Sequence, residues 1–176
     1  LIIGTARGGT TALYHFLNKH PEISMPSIKE PKYFSSINRN FPQKGLGDEF
    51  IDNAMVKEKE KYFELFRGFN TKLIGEASPD YLYYHKKTVP EIKKELGDVK
   101  IIILLRDPII RAFSSYNHLL RDNREKLSFV KALEHEEQRV KDNYDFIWHY
   151  KKVGLYYEQV KSYLNNFKKV KIILSE

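Results

Sequence analysis

Arg7, Thr10 and Thr11, set among Gly4, Gly8 and Gly9, are residue types that together hold an anion. Glycines leave backbone N–H groups approachable, and a helix that begins on them turns its positive end toward an oxyanion such as phosphate. The stretch LIIGTARGGTTALYHFL at 1–17 reads as a strand, a glycine loop and a helix N-terminus in that order. Gly4 and Gly9 keep the spacing of a P-loop, but Thr10 stands where that motif requires lysine. The charge that grips the outer phosphates of a triphosphate is therefore missing, and the cation sits within the loop, at Arg7. This arrangement suits a single 5′-phosphate cradled by backbone amides and two threonine hydroxyls, with Arg7 beside its outer oxygen. The alternative is an ordinary glycine turn between a strand and a helix.

A second pair points to a second anion. Arg106 closes the most apolar run of the chain, and Ser114 lies about two turns into the helical pattern that follows. A guanidinium takes two phosphate oxygens in a fork and a serine hydroxyl supplies a further hydrogen bond. The alternative is that Arg106 pairs with a carboxylate while Ser114 merely packs. Two phosphate sites at the ends of two strands suit a nucleotide phosphorylated at both ends of its ribose.

The elements that must position these residues follow from hydrophobic patterning. Four continuous apolar runs, at 1–4, 72–77, 100–105 and 170–175, read as strands buried on both faces. Between them helical patterns run over Thr10–Lys19, Asn53–Phe66, Val89–Leu96 (closed by Gly97), Asp107–Arg124, Ser128–Val140 and Leu155–Phe167. Asp107-Pro108 is a favoured helix start, with an N-cap carboxylate and a proline in the first turn. Segments 35–50 and 141–153 read as loops, the first long enough for a substrate-facing flap. Alternating strands and helices predict an α/β, P-loop-like three-layer domain with a central, mainly parallel sheet flanked by helices. Ligands of such sheets bind beyond the strands' carboxyl ends. Here those ends carry the Gly4 loop, Glu76-Ala77-Ser78, Arg106-Asp107 and Ser175-Glu176.

At 176 residues the chain has the length of one domain, 1–176, and its net charge of +7 fits an anionic ligand. It has no cysteine, which removes disulfides, thiolate metal sites and cysteine nucleophiles and favours a reducing, cytoplasmic compartment. No run approaches the ~20 apolar residues of a membrane span. A chain that opens inside a strand at Leu1 and stops directly after another reads as part of a longer protein lacking its C-terminal segment. The 12 tyrosines and 11 phenylalanines invite a nucleic-acid reading, but most sit at core positions of amphipathic helices, so none is expected. The histidines have no metal-ligand spacing.

GTARGGTTALYHFL resembles the 5′-phosphosulfate-binding loop of sulfotransferases, and LLRDPIIRAFSSY resembles their 3′-phosphate-binding segment. KEPKYF at 29–34, GEASPDYL at 75–82 and GLYYEQVKSYL at 154–164 are similar to blocks of the heparan-sulfate and bacterial carbohydrate branch. The resemblance implies a sulfotransferase that moves a sulfuryl group from 3′-phosphoadenosine-5′-phosphosulfate to a hydroxyl or amine acceptor, a glycan first among them, without a metal. It implies that Arg7, Gly8, Gly9, Thr10 and Thr11 bind the 5′-phosphosulfate and that Arg106 and Ser114 bind the 3′-phosphate. Glu30 is then the base, Arg7 stabilises the leaving phosphate, and His118, one helical turn past Ser114, bonds the sulfuryl group or the acceptor. Lys29 and Glu76 are assigned to the acceptor, the alternative for Glu76 being a structural role paired with a lysine. Many members carry lysine at the position of Arg7 and, in the glycan branch, at that of Ala77. They also close the nucleotide site with a basic loop that this sequence does not reach. A eukaryotic glycan enzyme of this kind implies the Golgi lumen instead of the cytoplasm. The other readings are a non-catalytic module that binds the nucleotide or a sulfated glycan, and a P-loop kinase.

Overall fold

The structure, a computed structural model, describes residues 1–175. Glu176 of the last strand end lies outside the described residues. The chain begins with β1 (Ile2–Gly4), α1 (Thr10–Leu17), β2 (Ile23–Ser24) and α2 (Tyr33–Ser36). It continues through α3 (Asp48–Ala54), α4 (Lys59–Glu64), β3 (Leu73–Ile74), α5 (Asp80–Tyr83), α6 (His85–Leu96) and β4 (Ile101–Arg106). The remainder is α7 (Pro108–Arg121), α8 (Phe129–Glu134), α9 (Glu136–Lys141), α10 (Tyr156–Asn166) and β5 (Val170–Ser175), with two 3-10 turns between α9 and α10.

The central sheet is parallel, in the order β1-β4-β5. Residues 76–78 extend it on the β1 side: Ile2 N–H donates to Glu76 O at 2.9 Å and Ser78 N–H to Ile2 O at 3.0 Å. Alternation along the strands builds two cores. Ile3, Ile101 and Ile103 pack with Val89 and Ile92 of α6 and with Tyr163 of α10, whereas Ile2 and Leu104 pack with Tyr14 of α1. Helices thus cover both faces, giving the three layers expected of an α/β chain.

Two of the apolar runs depart from the expected burial. The 72–77 run divides: β3 pairs with β2 in a separate two-stranded sheet, leaving Leu73 and Ile74 40% and 48% exposed, and only its second half joins β1. In β5 the side chains of Ile172, Ile173 and Leu174 are exposed. Continuous apolarity signals strand formation, but whether a strand is covered depends on what packs beside it.

The helical patterns also break where tertiary bonds compete. The single helix expected over Asn53–Phe66 is α3 and α4 separated by extended residues, because Val56 N–H leaves the helical ladder and donates to Pro31 O at 2.9 Å. The Ser128–Val140 pattern divides at His135, and the Ser128 side chain makes no cap hydrogen bond. Glu136, just past the break, is buried and accepts the N–H groups of Lys151 and Lys152 at 2.6 and 2.9 Å. α7 forms as expected, with the Asp107 carboxylate accepting from the N–H groups of Ile109 and Ile110 at 2.9 Å, a cap worth about 1 kcal/mol.

The two expected loops are stitched to each other. Buried Asp48 accepts from Gly45 N–H (2.8 Å), Asp145 N–H (2.8 Å) and Trp148 Nε1 (2.9 Å), and pairs with Arg124. Segment 141–153 is core, with Trp148 and Tyr150 buried. The end of segment 35–50, read as a loop long enough for a substrate-facing flap, is therefore anchored to segment 141–153.

Candidate two-anion site at the carboxyl ends of the strands

A cleft of about 600 Å³ opens at the carboxyl ends of β1 and β4. Arg7, Gly9, Thr10 and Thr11 line one wall, Arg106, Ser114 and His118 another, and Glu30 and Lys32 a third.

The glycine loop is shaped by close approach. A Cβ on Gly8 would lie 2.9 Å from Thr5 O and 3.1 Å from Leu104 O, so only glycine lets the loop sit against the β4 backbone. Gly8 packs beneath the cleft instead of lining it. Gly9 precedes α1 with φ 94°. Among the described residues, no protein group accepts the N–H of Gly9, Thr10 or Thr11. These are the free donors that an oxyanion requires.

The second element adjoins the first. Arg106 Nη1 donates to Arg7 O at 3.3 Å, and Arg7 Nε donates to Ser114 Oγ at 3.2 Å. Neither arginine forms an ion pair with a carboxylate among the described residues. Partial burial, followed by repulsion from Arg121 and Arg106, holds the Arg7 guanidinium below its ordinary pKa. Crowded cations without carboxylate partners and unbonded N–H groups form a pocket whose electrostatics an anion relieves.

The third wall is a turn, Glu30-Pro31-Lys32. Glu30 and Lys32 have φ of 62° and 55°, and Arg7 has 66°; the other non-glycine residues at positive φ are all asparagines. Such conformations cost of order 1–3 kcal/mol each in residues other than glycine or asparagine, and they cluster at functional sites. Lys32 N–H donates to Ser78 Oγ at 3.0 Å, and Ser78 Oγ donates to Glu76 Oε2 at 2.9 Å. With the Val56–Pro31 bond, these contacts pin the turn from both sides. Glu30 contacts the Lys29 ammonium and lies 3.6 Å from that of Lys32.

His118 faces the cleft one turn beyond Ser114, its Nδ1 2.8 Å from Arg121 Nη2. Burial and the nearby Arg7 charge lower its pKa, so a neutral imidazole faces the site near neutrality. Lys29 borders the turn through its contact with Glu30. Glu76 is elsewhere: it is buried beneath the turn, bonded by Ser78 and by Tyr62 Oη at 3.5 Å, and does not line the cleft. Of the two readings of Glu76, its position fits the structural one, in support of the Lys32 turn, because its carboxylate accepts that inner hydrogen bond.

Sequence reasoning did not select Lys32 or Asp145 as site residues, although both line the cleft. Lys32 carries a legible signal, a second lysine inside the KEPK block. Asp145 carries none, since it reaches the site only through the folding of segment 141–153. No group of histidine, cysteine or carboxylate side chains suited to a metal occurs among the described residues, and no helix there is long and apolar enough to cross a membrane.

A family model described as the sulfotransferase family matches residues 1–163. The chain is similar to a solved sulfotransferase from Alicyclobacillus acidocaldarius, at TM-score 0.94 and 41% identity, over 98% of this chain and 71% of that one. It is 40% identical over 117 residues to the membrane-associated sulfotransferase kil1 of Dictyostelium discoideum, covering 66% of this chain and 22% of the relative. It is 29% identical over 168 residues to the mouse heparan sulfate glucosamine 3-O-sulfotransferase 3B1, covering 95% of this chain and 38% of the relative. The chain thus spans well under half the length of these curated relatives.

Proposed function

The chain belongs to the sulfotransferase family, and on that premise we propose that it transfers a sulfuryl group from 3′-phosphoadenosine-5′-phosphosulfate to the hydroxyl or amine of an acceptor, a glycan by preference. The observation that carries this reading is the contact between the two anion-binding elements. The Gly8-Gly9-Thr10-Thr11 loop and the Arg106–Ser114 pair meet through Arg7 and border one cleft. The unpaired guanidiniums and unbonded loop amides fit a ligand bearing two phosphates. The glycan preference draws on the heparan sulfate relatives.

The donor supplies the sulfuryl group: its S–O bond to the 5′-phosphate breaks as a bond from sulfur to the acceptor oxygen or nitrogen forms, and the electron pair departs with the bisphosphate. Such a transfer is catalysed mostly by positioning and charge stabilisation. The loop amides, Thr10 and Thr11 hold the 5′ end, and Arg106 with Ser114 holds the 3′-phosphate. Arg7 stabilises charge on the leaving phosphate electrostatically, since a guanidinium does not give up its proton. Glu30 takes the acceptor proton. His118 donates or accepts a hydrogen bond at the reacting group.

Isothermal calorimetry tests the reading. 3′,5′-Bisphosphoadenosine is expected to bind far more tightly than ATP and without magnesium. Equal affinity, or a preference for Mg-ATP, would overturn it in favour of a P-loop kinase. Transfer of radiolabelled sulfate from the donor to pooled glycans separates an enzyme from a non-catalytic binding module.

A further inference from the structure

We propose that Lys32 is a catalytic residue of this chain, its ammonium hydrogen-bonding the sulfuryl oxygens beside Glu30. The inference rests on the sulfotransferase reading above and adds to it a residue that the loop and the Arg106–Ser114 pair do not include.

The lysine is placed at a cost. Its φ of 55° is unfavourable for a side chain branching into a crowded turn, and its backbone N–H is tied to Ser78. Its side chain is 9% exposed, yet it reaches the cleft wall. Burial alone would lower the ammonium's pKa, but Asp80, Asp145 and Glu30 outweigh it and hold the group above its ordinary value, so it stays charged.

These carboxylates nevertheless bond other groups. Asp145 accepts from Arg39 Nη2 at 2.6 Å and from Ile147 N–H at 3.0 Å, and Asp80 Oδ2 accepts from Ser35 Oγ at 2.5 Å. Lys32 Nζ makes no hydrogen bond among the described residues, and Glu30, at 3.6 Å, is the one carboxylate it approaches within 4 Å. An ammonium kept charged by carboxylates that do not bond it has three donors to offer to the cleft.

The position also fits the charge flow. A sulfuryl group moving toward an acceptor held by Glu30 brings anionic oxygens toward a carboxylate. Lys32 offsets that repulsion. When Glu30 takes the acceptor proton, the nearest negative charge on Lys32 disappears, and the ammonium is left to the sulfuryl oxygens. Arg7 serves the leaving phosphate and Lys32 the travelling group.

Calorimetry with two ligands tests the assignment without measuring turnover. 3′-Phosphoadenosine-5′-phosphosulfate carries the sulfuryl group, and 3′,5′-bisphosphoadenosine lacks it. Lys32→Met is expected to weaken the donor about tenfold, the size of one charge-assisted hydrogen bond, and to change the bisphosphate less than twofold. Lys32→Gln provides the same ratio should Lys32→Met fail to fold, and retained bisphosphate binding shows that the site is intact. An unchanged ratio, or loss of both ligands together in both variants, overturns the proposal and leaves Lys32 as a support for Asp80. If the unmodified protein binds neither ligand, the sulfotransferase reading itself fails.

Discussion

Arg7 and Ser114 lie 107 positions apart and are joined by one hydrogen bond, Nε to Oγ at 3.2 Å. The bond ties the glycine loop to α7, so the two anion-binding elements are held in register by the protein itself. On the proposed function, the Arg106–Ser114 pair holds the 3′-phosphate of the nucleotide while the loop holds its 5′ end. Arg106→Ala should therefore weaken 3′,5′-bisphosphoadenosine by at least tenfold, as expected for a lost charge-assisted contact. It should leave AMP, which lacks the 3′-phosphate, within twofold. Titrations of both nucleotides check this; parallel losses would show that Arg106 serves only the loop.

Glu30 is held by a turn that no ligand needs to build. Because removal of a general base costs typically a factor of 10² to 10⁴, Glu30→Gln should cut sulfate transfer by at least 100-fold. Bisphosphate affinity should stay within twofold, since on the proposed function Glu30 serves the acceptor and not the nucleotide. Single-turnover transfer and calorimetry on the same preparation measure the two quantities. Full activity in Glu30→Gln would place the base elsewhere.

Much of this site is legible in the sequence because its parts are local. A glycine run before Thr10, and Arg106 at the end of an apolar strand, are each read within a dozen residues, and the parallel sheet then brings both to one edge. What the sequence hides depends on long-range bonds. The break between α3 and α4 requires the Val56–Pro31 hydrogen bond, and the buried course of 141–153 requires Asp48. Neither leaves a local pattern. Glu76 is open to two readings for the same reason: it stands near a strand end, where ligands bind, but Ser78 and Tyr62 bond its carboxylate on the inner side.

Asp48 joins the two long connections, beside the Arg39–Asp145 ion pair that also links them. Asp48→Ala leaves the N–H groups of Gly45 and Asp145, the Trp148 indole and Arg124 without their acceptor. Each buried donor left unsatisfied costs about 1–3 kcal/mol, so a loss of about 3 kcal/mol or more is expected in urea unfolding. Bisphosphate binding by the folded variant should change less than its stability, because Asp48 itself does not line the cleft although its partners Arg124 and Asp145 do. A loss under about 1 kcal/mol would show that the two segments are held by their other contacts, such as the Arg39–Asp145 pair and the Asn143 hydrogen bonds, instead.

Two buried groups give stability opposite pH dependences. Burial pushes the Glu76 carboxyl up to about 7 and the His149 imidazole down to about 4. Glu76 holds its proton more tightly folded than unfolded, so its contribution is complete below its unfolded pKa of 4.5 and is lost as pH rises to about 7. His149 is neutral when folded and protonates more readily when unfolded, so its contribution is complete above 6.5 and is lost as pH falls to about 4. Each spans about 3 kcal/mol at 1.36 kcal/mol per pH unit. Between about pH 4.5 and 6.5 the two slopes oppose and nearly cancel. Relative to the unmodified chain, Glu76→Gln should therefore gain stability as pH rises from 4.5 to 7, and His149→Gln should lose it from 4 to 6.5. Urea unfolding at half-unit pH intervals measures both difference curves. Flat curves would mean that water reaches these side chains and that neither is held in the state its burial dictates.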